Sequence, residues 1–188
     1  MLKKFLNNII NIAAILLVAM FFSCGNKLQE VEDFLAEKNL PIGEAKDVNL
    51  IYTDSGKVKT KLITPLMYDF SNRKDHPYTE FPKGIKIITY DEKGDSVTLK
   101  ADYAITFTKT KISEAINNVL ILNHAENSAL MTDQLFWDSG EHFIYTEKDF
   151  TLISKKDTIN GKGLDANEDL TKINMKSVYG TVYVNESE

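Results

Sequence analysis

The sequence predicts an all-β protein, a sheet of many antiparallel strands closed into a sandwich, a tube or a folded-over sheet. Three observations predict it: period-two alternation from about Asp47 onward, polar turn clusters between the alternating runs, and an internal repeat of strand-sized units. At 43% hydrophobic and 26% charged residues, the 188-residue chain has globular composition, which excludes wholesale disorder. The net charge is −5 with Lys and Arg spread throughout, so no basic block exists to neutralise phosphates and nucleic acid is excluded as a partner. A single cysteine excludes an intramolecular disulfide, zinc-finger sites and CxxC redox chemistry.

Residues 1–23 read as a signal peptide of the lipoprotein type, 24–46 as a tether and 47–188 as the folded domain. Lys3 and Lys4 form a positive start, and Ile9 to Phe22 is apolar except for Asn11. Cys24 follows Phe21-Phe22-Ser23, an arrangement that resembles a lipobox, where the thiol takes a diacylglyceryl group and becomes the new N-terminus. Two alternatives stay open, an uncleaved spanning helix and a simple secretory signal. The apolar run rises only about 21 Å against a hydrocarbon core of roughly 30 Å. A helix extended from Phe5 to Asn26 would reach across, but it would carry Asn7, Asn8 and Asn11. Either kind of anchor tethers the domain to a membrane outside the cytoplasm, and two or more acyl chains hold firmly where one does not.

Residues 27–40 place Leu28, Val31 and Leu35 at helical spacing, which fits a short N-terminal helix or a tether ended by Pro41 and Gly43. Over 58–70, Val58, Thr60, Leu62, Thr64, Leu66, Tyr68 and Phe70 share one strand face, with Lys57, Lys59 and Lys61 on the other. The lysines read as a solvated face that discourages edge-to-edge association. Between Val97 and Phe107 the odd positions are apolar or aromatic apart from Ala101. Turns are expected at Thr53–Gly56, Asp91–Asp95, Asp138–Gly140 and Lys155–Asp157.

A shift of 31 residues superposes Leu99 on Leu130, Asp102 on Asp133, Ala104 on Leu135, Ile112 on Phe143, Val119 on Phe150 and Ile121 on Leu152. A unit of two or three strands cannot bury its own apolar face, so the copies must stack. Simple alternation puts Tyr103 and Ile105 on the face of Leu99, whereas the repeat pairs Ala104 with Leu135 and Thr106 with Trp137. A corner or bulge near Ala101-Asp102 and Thr132-Asp133 reconciles the two by flipping the parity of the strand. Where repeat and apolarity agree, eight residues are expected inside: Leu99, Val119, Ile121, Leu130, Leu135, Trp137, Phe150 and Leu152.

No catalytic constellation is present, and no cofactor or metal is expected. His76, His124 and His142 lie in turn-like polar contexts without ligand spacing. Asp165-Ala166-Asn167-Glu168-Asp169 mimics half of a calcium loop, but Leu170 occupies the glycine place and Lys176 the bidentate glutamate place, so a solvated turn is expected. Gly161-Lys162-Gly163 reads as a bulge or a close backbone approach.

Several stretches in order resemble one family. They are Phe81-Pro82-x-Gly84-Ile85, Tyr90-Asp91-x-x-Gly94, Leu99-x-Ala101-Asp102-x-Ala104 and Asn117-Asn118-Val119. Leu130-x-Thr132-Asp133-x-Leu135-x-Trp137-Asp138, Gly161-x-Gly163 and Asp165-x-Asn167 follow. Over roughly 45–184 the chain resembles the LptC family, the periplasmic, membrane-anchored component of lipopolysaccharide export. The resemblance implies an open β-jellyroll whose greasy interior carries the acyl chains of lipopolysaccharide. It also implies location on the periplasmic side of the inner membrane. The partners it implies are the permease subunits of an inner-membrane ABC transporter and a periplasmic bridge protein of the same fold. Better-known members have one transmembrane helix; here the lipobox implies a membrane partner held through a lipid anchor on Cys24. The alternative is a cell-envelope lipoprotein acting as a β-sandwich binding or assembly module with a solid core. An envelope enzyme is disfavoured by the missing catalytic groups.

The C-terminal stretch Ser177–Val184 has no charge and no proline and is rich in β-branched and aromatic residues. It is either a central strand paired on both sides or an edge left open to a partner's sheet. The family resemblance implies edge-to-edge joining, which makes Val178, Gly180, Val182 and Val184 the expected partner edge.

Overall fold

The computed structural model describes residues 39–155 and 157–179. Cys24, most of the tether, and Gly180, Val182 and Val184 lie outside the described residues. The elements are β1 (Gly43–Asp54), β2 (Lys57–Phe70), β3 (Tyr78–Phe81), β4 (Ile85–Tyr90), β5 (Ser96–Ala101), β6 (Tyr103–Phe107), β7 (Ile112–Asn123), β8 (Ser128–Asp138), β9 (Phe143–Ile153), β10 (Thr158–Asn167) and β11 (Ile173–Tyr179). β1 begins at Gly43, ahead of the Asp47 where alternation becomes visible in the sequence. All eleven strands belong to one antiparallel sheet.

The connectivity is a meander once two pairs of short strands are read as single bent ones. β2 pairs with β4 through Thr60–Ile63 and with β3 through Tyr68–Phe70. β4 pairs with β5 and β3 with β6, and β7 then takes both β5 and β6. β7, β8, β9, β10 and β11 follow in order. Each long strand therefore crosses a common bend, and the sheet folds over on itself along that line as a β-jellyroll. The first wall ends in the turns at 54–57, 91–95 and 124–127 and in the connection from β9 to β10. The second wall ends in those at 71–77, 108–111, 139–142 and 168–172.

The bend is written in bulges. The register slips between Ile116 and Val119, between Thr132 and Phe136, and between Lys162 and Leu164. Asn117 and Asn118 supply the positive φ of the first slip (61° and 49°), and Gly163 that of the third (73°). Asp102 separates β5 from β6, its amide donating to the Asn117 carbonyl at 3.0 Å. Asn118 Nδ2 donates to Asp102 Oδ2 at 2.6 Å. Backbone groups freed by a bulge need other partners, and buried threonines provide them. Thr64 Oγ1 donates to the Gly84 carbonyl at 2.7 Å, and Thr132 Oγ1 to the Asp149 carbonyl at 2.9 Å. The Lys148 amide donates to Thr146 Oγ1 at 3.1 Å. The parity flips expected near Asp102 and Asp133 are thus present.

A third flip was not foreseen. The sequence reading kept every even residue from Val58 to Phe70 on one face, but the pattern breaks at Thr64–Leu66. Pro65 has no amide to give the ladder there. Leu62 and Met67 consequently face the same interior, while Phe70 stacks on Tyr78 on the other side of the second wall, with ring centroids 4.5 Å apart.

Candidate functional site

The interior is built from rows of register partners running across the strands. On the first wall Leu62 opposes Ile87, Ile87 opposes Leu99, Leu99 opposes Ile121, Ile121 opposes Leu130, Leu130 opposes Leu152 and Leu152 opposes Ile159. This is an unbroken aliphatic ladder from β2 to β10. On the second wall Phe81 opposes Ala104, Ala104 opposes Ala115 and Ala115 opposes Leu135. Beside it, Trp137 opposes Ile144 and Ile144 opposes Ala166. The walls differ in bulk along the sheet, and that difference places the empty volume.

From β7 to β10 both walls carry large residues. Ile121, Leu130, Leu135, Ile144 and Leu164 are each 2% exposed or less and pack into one cluster with Phe150 and Leu152. Between Phe81 and Leu135 the second wall has the small Ala104 and Ala115 facing the aliphatic first wall. A cavity of about 380 Å³ opens there, lined by Leu62, Met67, Phe81, Ile87, Leu99, Leu135 and Trp137 among others. Its rim is hydroxylated, with Thr60, Thr79, Thr106 and Ser113 on the lining and a 3.0 Å hydrogen bond between Thr106 and Ser113. An apolar trough with a hydroxyl rim can hold a hydrocarbon chain below and leave a polar head in water.

The eight residues expected inside occupy three settings. Leu99, Leu135 and Trp137 line the open cavity. Ile121 lines a smaller pocket of about 40 Å³ beyond Trp137, while Leu130 and Leu152 belong to the packed cluster. Val119 and Phe150 sit at the bend, where both oppose Thr132. Phe150 also lies over Gly161, and a Cβ added at Gly161 would meet its ring at 2.5 Å and the Ser177 carbonyl at 2.3 Å. Both sequence readings of Gly161-Lys162-Gly163 therefore apply, a close approach at the first glycine and a bulge at the second. Asp133, the repeat partner of Asp102, is exposed.

Leu62, Met67, Phe81, Ile87, Ala104 and Ala115 also line the cavity and were missed. Ala104 was within reach, since the repeat aligned it with Leu135. Met67 was hidden by the parity break at Pro65.

Several polar groups around the trough are partnered. Trp137 Nε1 donates to Glu168 Oε2 at 3.0 Å, and Glu168 Oε1 lies 3.0 Å from His142 Nδ1. His124 Nε2 and Thr98 Oγ1 are 2.9 Å apart. Asp165 pairs with Lys176 at 3.3 Å, and the Thr171 amide donates to Asp169 Oδ1 at 2.9 Å, so the acidic stretch 165–169 runs from strand into turn. Among the described residues no group of three His, Cys, Asp or Glu could hold a metal. Outside the second wall, Tyr103 donates to Glu80 at 2.9 Å. Burial, and then the Glu80 carboxylate, push its phenol up to about 12.

β11 ends the sheet and pairs only with β10 among the described residues, which favours the edge reading of the C-terminal strand. Val178 on it is 49% exposed. At the other end β1 pairs only with β2 and exposes Leu50, Ile51 and Tyr52.

A family model described as "Lipopolysaccharide-assembly, LptC-related" matches residues 12–184. No curated protein sequence matches the chain.

Proposed function

This chain belongs to the LptC-related family of lipopolysaccharide assembly, and we propose on that premise that it is a conduit which takes lipopolysaccharide from an inner-membrane ABC transporter and passes it to a bridge protein. The family is a non-enzymatic, periplasmic part of lipopolysaccharide transport associated with the inner membrane. The observation that carries the finer reading is the apolar cavity between two walls that otherwise close on a solid core. Burying acyl chains is favourable by about 0.8 kcal/mol per methylene, and an aliphatic lining offers that without a fixed hydrogen-bonded pose, so cargo can leave again. Leu99, Leu135 and Trp137 serve as acyl contacts; Val119, Ile121, Leu130, Phe150 and Leu152 back them by packing. Cys24 carries the lipid anchor, and the C-terminal stretch that holds Val178, Gly180, Val182 and Val184 receives the bridge protein by strand addition.

A photo-crosslinker at Leu99 should capture lipopolysaccharide and one at Asp133 should not. Equal labelling at both positions would show that the interior is not the route. The packed half from β7 to β10 favours a second reading, a β-sandwich assembly module without lipid transport. That reading predicts a folded, partner-binding protein with no lipid adduct at Leu99. For the anchor, Cys24→Ala should release or misprocess the protein, and an unmodified thiol behind an intact Met1 would overturn the lipidation.

A further inference from the structure

Trp137 stands where the open cavity meets the closed half. It lines both the 380 Å³ cavity and the 40 Å³ pocket beyond, where Val97, Ile121 and Ile144 leave no room for a chain to continue. Its indole is held from behind. Nε1 donates to Glu168, which also faces His142, and Glu168 opens the turn between β10 and β11. That turn is tied across the trough to the first wall, because Asn123 Nδ2 donates to the Asp169 carbonyl at 2.8 Å. Leu170 is buried in the same turn. The ring is therefore braced from a clasp that joins the two walls.

We propose that Trp137 is the stop that fixes how far an acyl chain enters the trough, with Glu168 as its positioning residue. The inference rests on the lipid-carrying reading above and adds a length limit to it. From Met67 on β2 to Trp137 on β8 the second wall is crossed in four strand steps, about 19 Å at roughly 4.8 Å each. A chain that fits within this distance gains contact with every added methylene. A longer one must stop at the indole or displace it. Displacement breaks the Trp137–Glu168 hydrogen bond and opens the way toward Ile121 and Ile144.

The protein carries a reporter for this, since Trp137 is its one tryptophan. Saturated fatty acids of increasing length, from octanoic to octadecanoic, are to be titrated against the full-length protein by competition with a fluorescent acyl probe. Affinity should rise roughly fourfold per methylene and then level off at a definite length. Chains brominated at the methyl end should quench Trp137 strongly near that length, and chains brominated beside the carboxylate weakly. Glu168→Ala removes the brace without removing a core side chain and should move the plateau to longer chains. Glu168→Gln keeps an acceptor and should restore the original limit. Trp137→Ala should abolish the limit. Since that variant leaves a hole, the Glu168 pair keeps the test decisive if it fails to fold. Binding with no plateau, a plateau unmoved in Glu168→Ala, or equal quenching by both brominated series would overturn the stop. Failure of any chain to bind the wild type would instead sink the conduit reading itself.

Discussion

Ala115→Leu separates a trough kept open for cargo from a packing defect. Ala115 lies on β7 in the middle of the second wall, 6% exposed, between Ala104 and Leu135 in the register and on the lining of the 380 Å³ cavity. Leucine adds about three carbon atoms, which point into the empty volume and displace about three methylenes of a bound chain at ~0.8 kcal/mol each. The loss of about 2.4 kcal/mol weakens acyl binding roughly 50-fold. The same atoms gain burial in the free protein, so the fold should hold or gain up to ~2 kcal/mol. Two measurements on one sample decide it: equilibrium titration with a fluorescent fatty-acid analogue, and urea unfolding followed by circular dichroism. Weaker binding with unchanged or higher stability supports the reasoning. Wild-type binding in a stably folded variant would refute it, because the chain would then lie elsewhere.

Other outcomes follow from the same geometry. Leu164→Ala, at a site with no exposed surface, should cost about 2–5 kcal/mol in urea unfolding. Gly161→Val should destabilise the bend, because even its Cβ meets Phe150 and the Ser177 carbonyl; loss of soluble, folded protein in that variant but not in Gly43→Ala, whose Cβ meets Asp69 at an ordinary 3.6 Å, checks it. Tyr103 should deprotonate about two units above an ordinary tyrosine. Raising the folded value favours the protonated native state, so this stabilisation is intact below pH 10 and is lost between about 10 and 12. Ultraviolet titration should show a late phenol that Tyr103→Phe removes. Along β11 alternate amides face opposite sides, so of Val178→Pro and Tyr179→Pro one should leave the β10 pairing intact and abolish bridge-protein binding. If the folded one still binds, this edge is not the dock.

The alternation, the turns and the repeat were enough to read an all-β, folded-over sheet though not its strand order, and the repeat located the bend near Asp102 and Asp133. They worked because register and parity are local properties of a strand. Asn117-Asn118, two residues that tolerate positive φ, lie at a third point on the same line, which the alternation and the repeat do not reveal. The break at Pro65 was less visible. A proline that ends one face and starts another leaves the apolar pattern intact on paper, since Leu62, Leu66, Met67 and Phe70 are all apolar. What could not be read was which interior residues pack and which leave space. Leu99 and Leu130 hold equivalent places in the repeat and on the same ladder, yet one lines a cavity and the other is 1% exposed. The difference lies across the trough, in alanines facing one and Leu135, Ile144 and Leu164 facing the other, and no local pattern carries it.

That division of labour bears on how such a sheet can be stable at all. An open trough forgoes the dispersion contacts a filled core would make, because its lining atoms lack partners on one side. Small residues at 104 and 115 and hydroxyls at 60, 79, 106 and 113 are what keep it open, and each forgoes burial a leucine would gain. The strands from β7 to β10 offset this with a dense core, tight bulges bridged by threonines, and a clasp between Asn123 and Asp169 that holds the walls together. The permissive half then depends on the packed half for its shape, through β7, which contributes Ala115 to one and Ile121 to the other. Substitutions that loosen the packed half should therefore cost lipid capture and stability together, whereas Ala115→Leu in the open half should separate them.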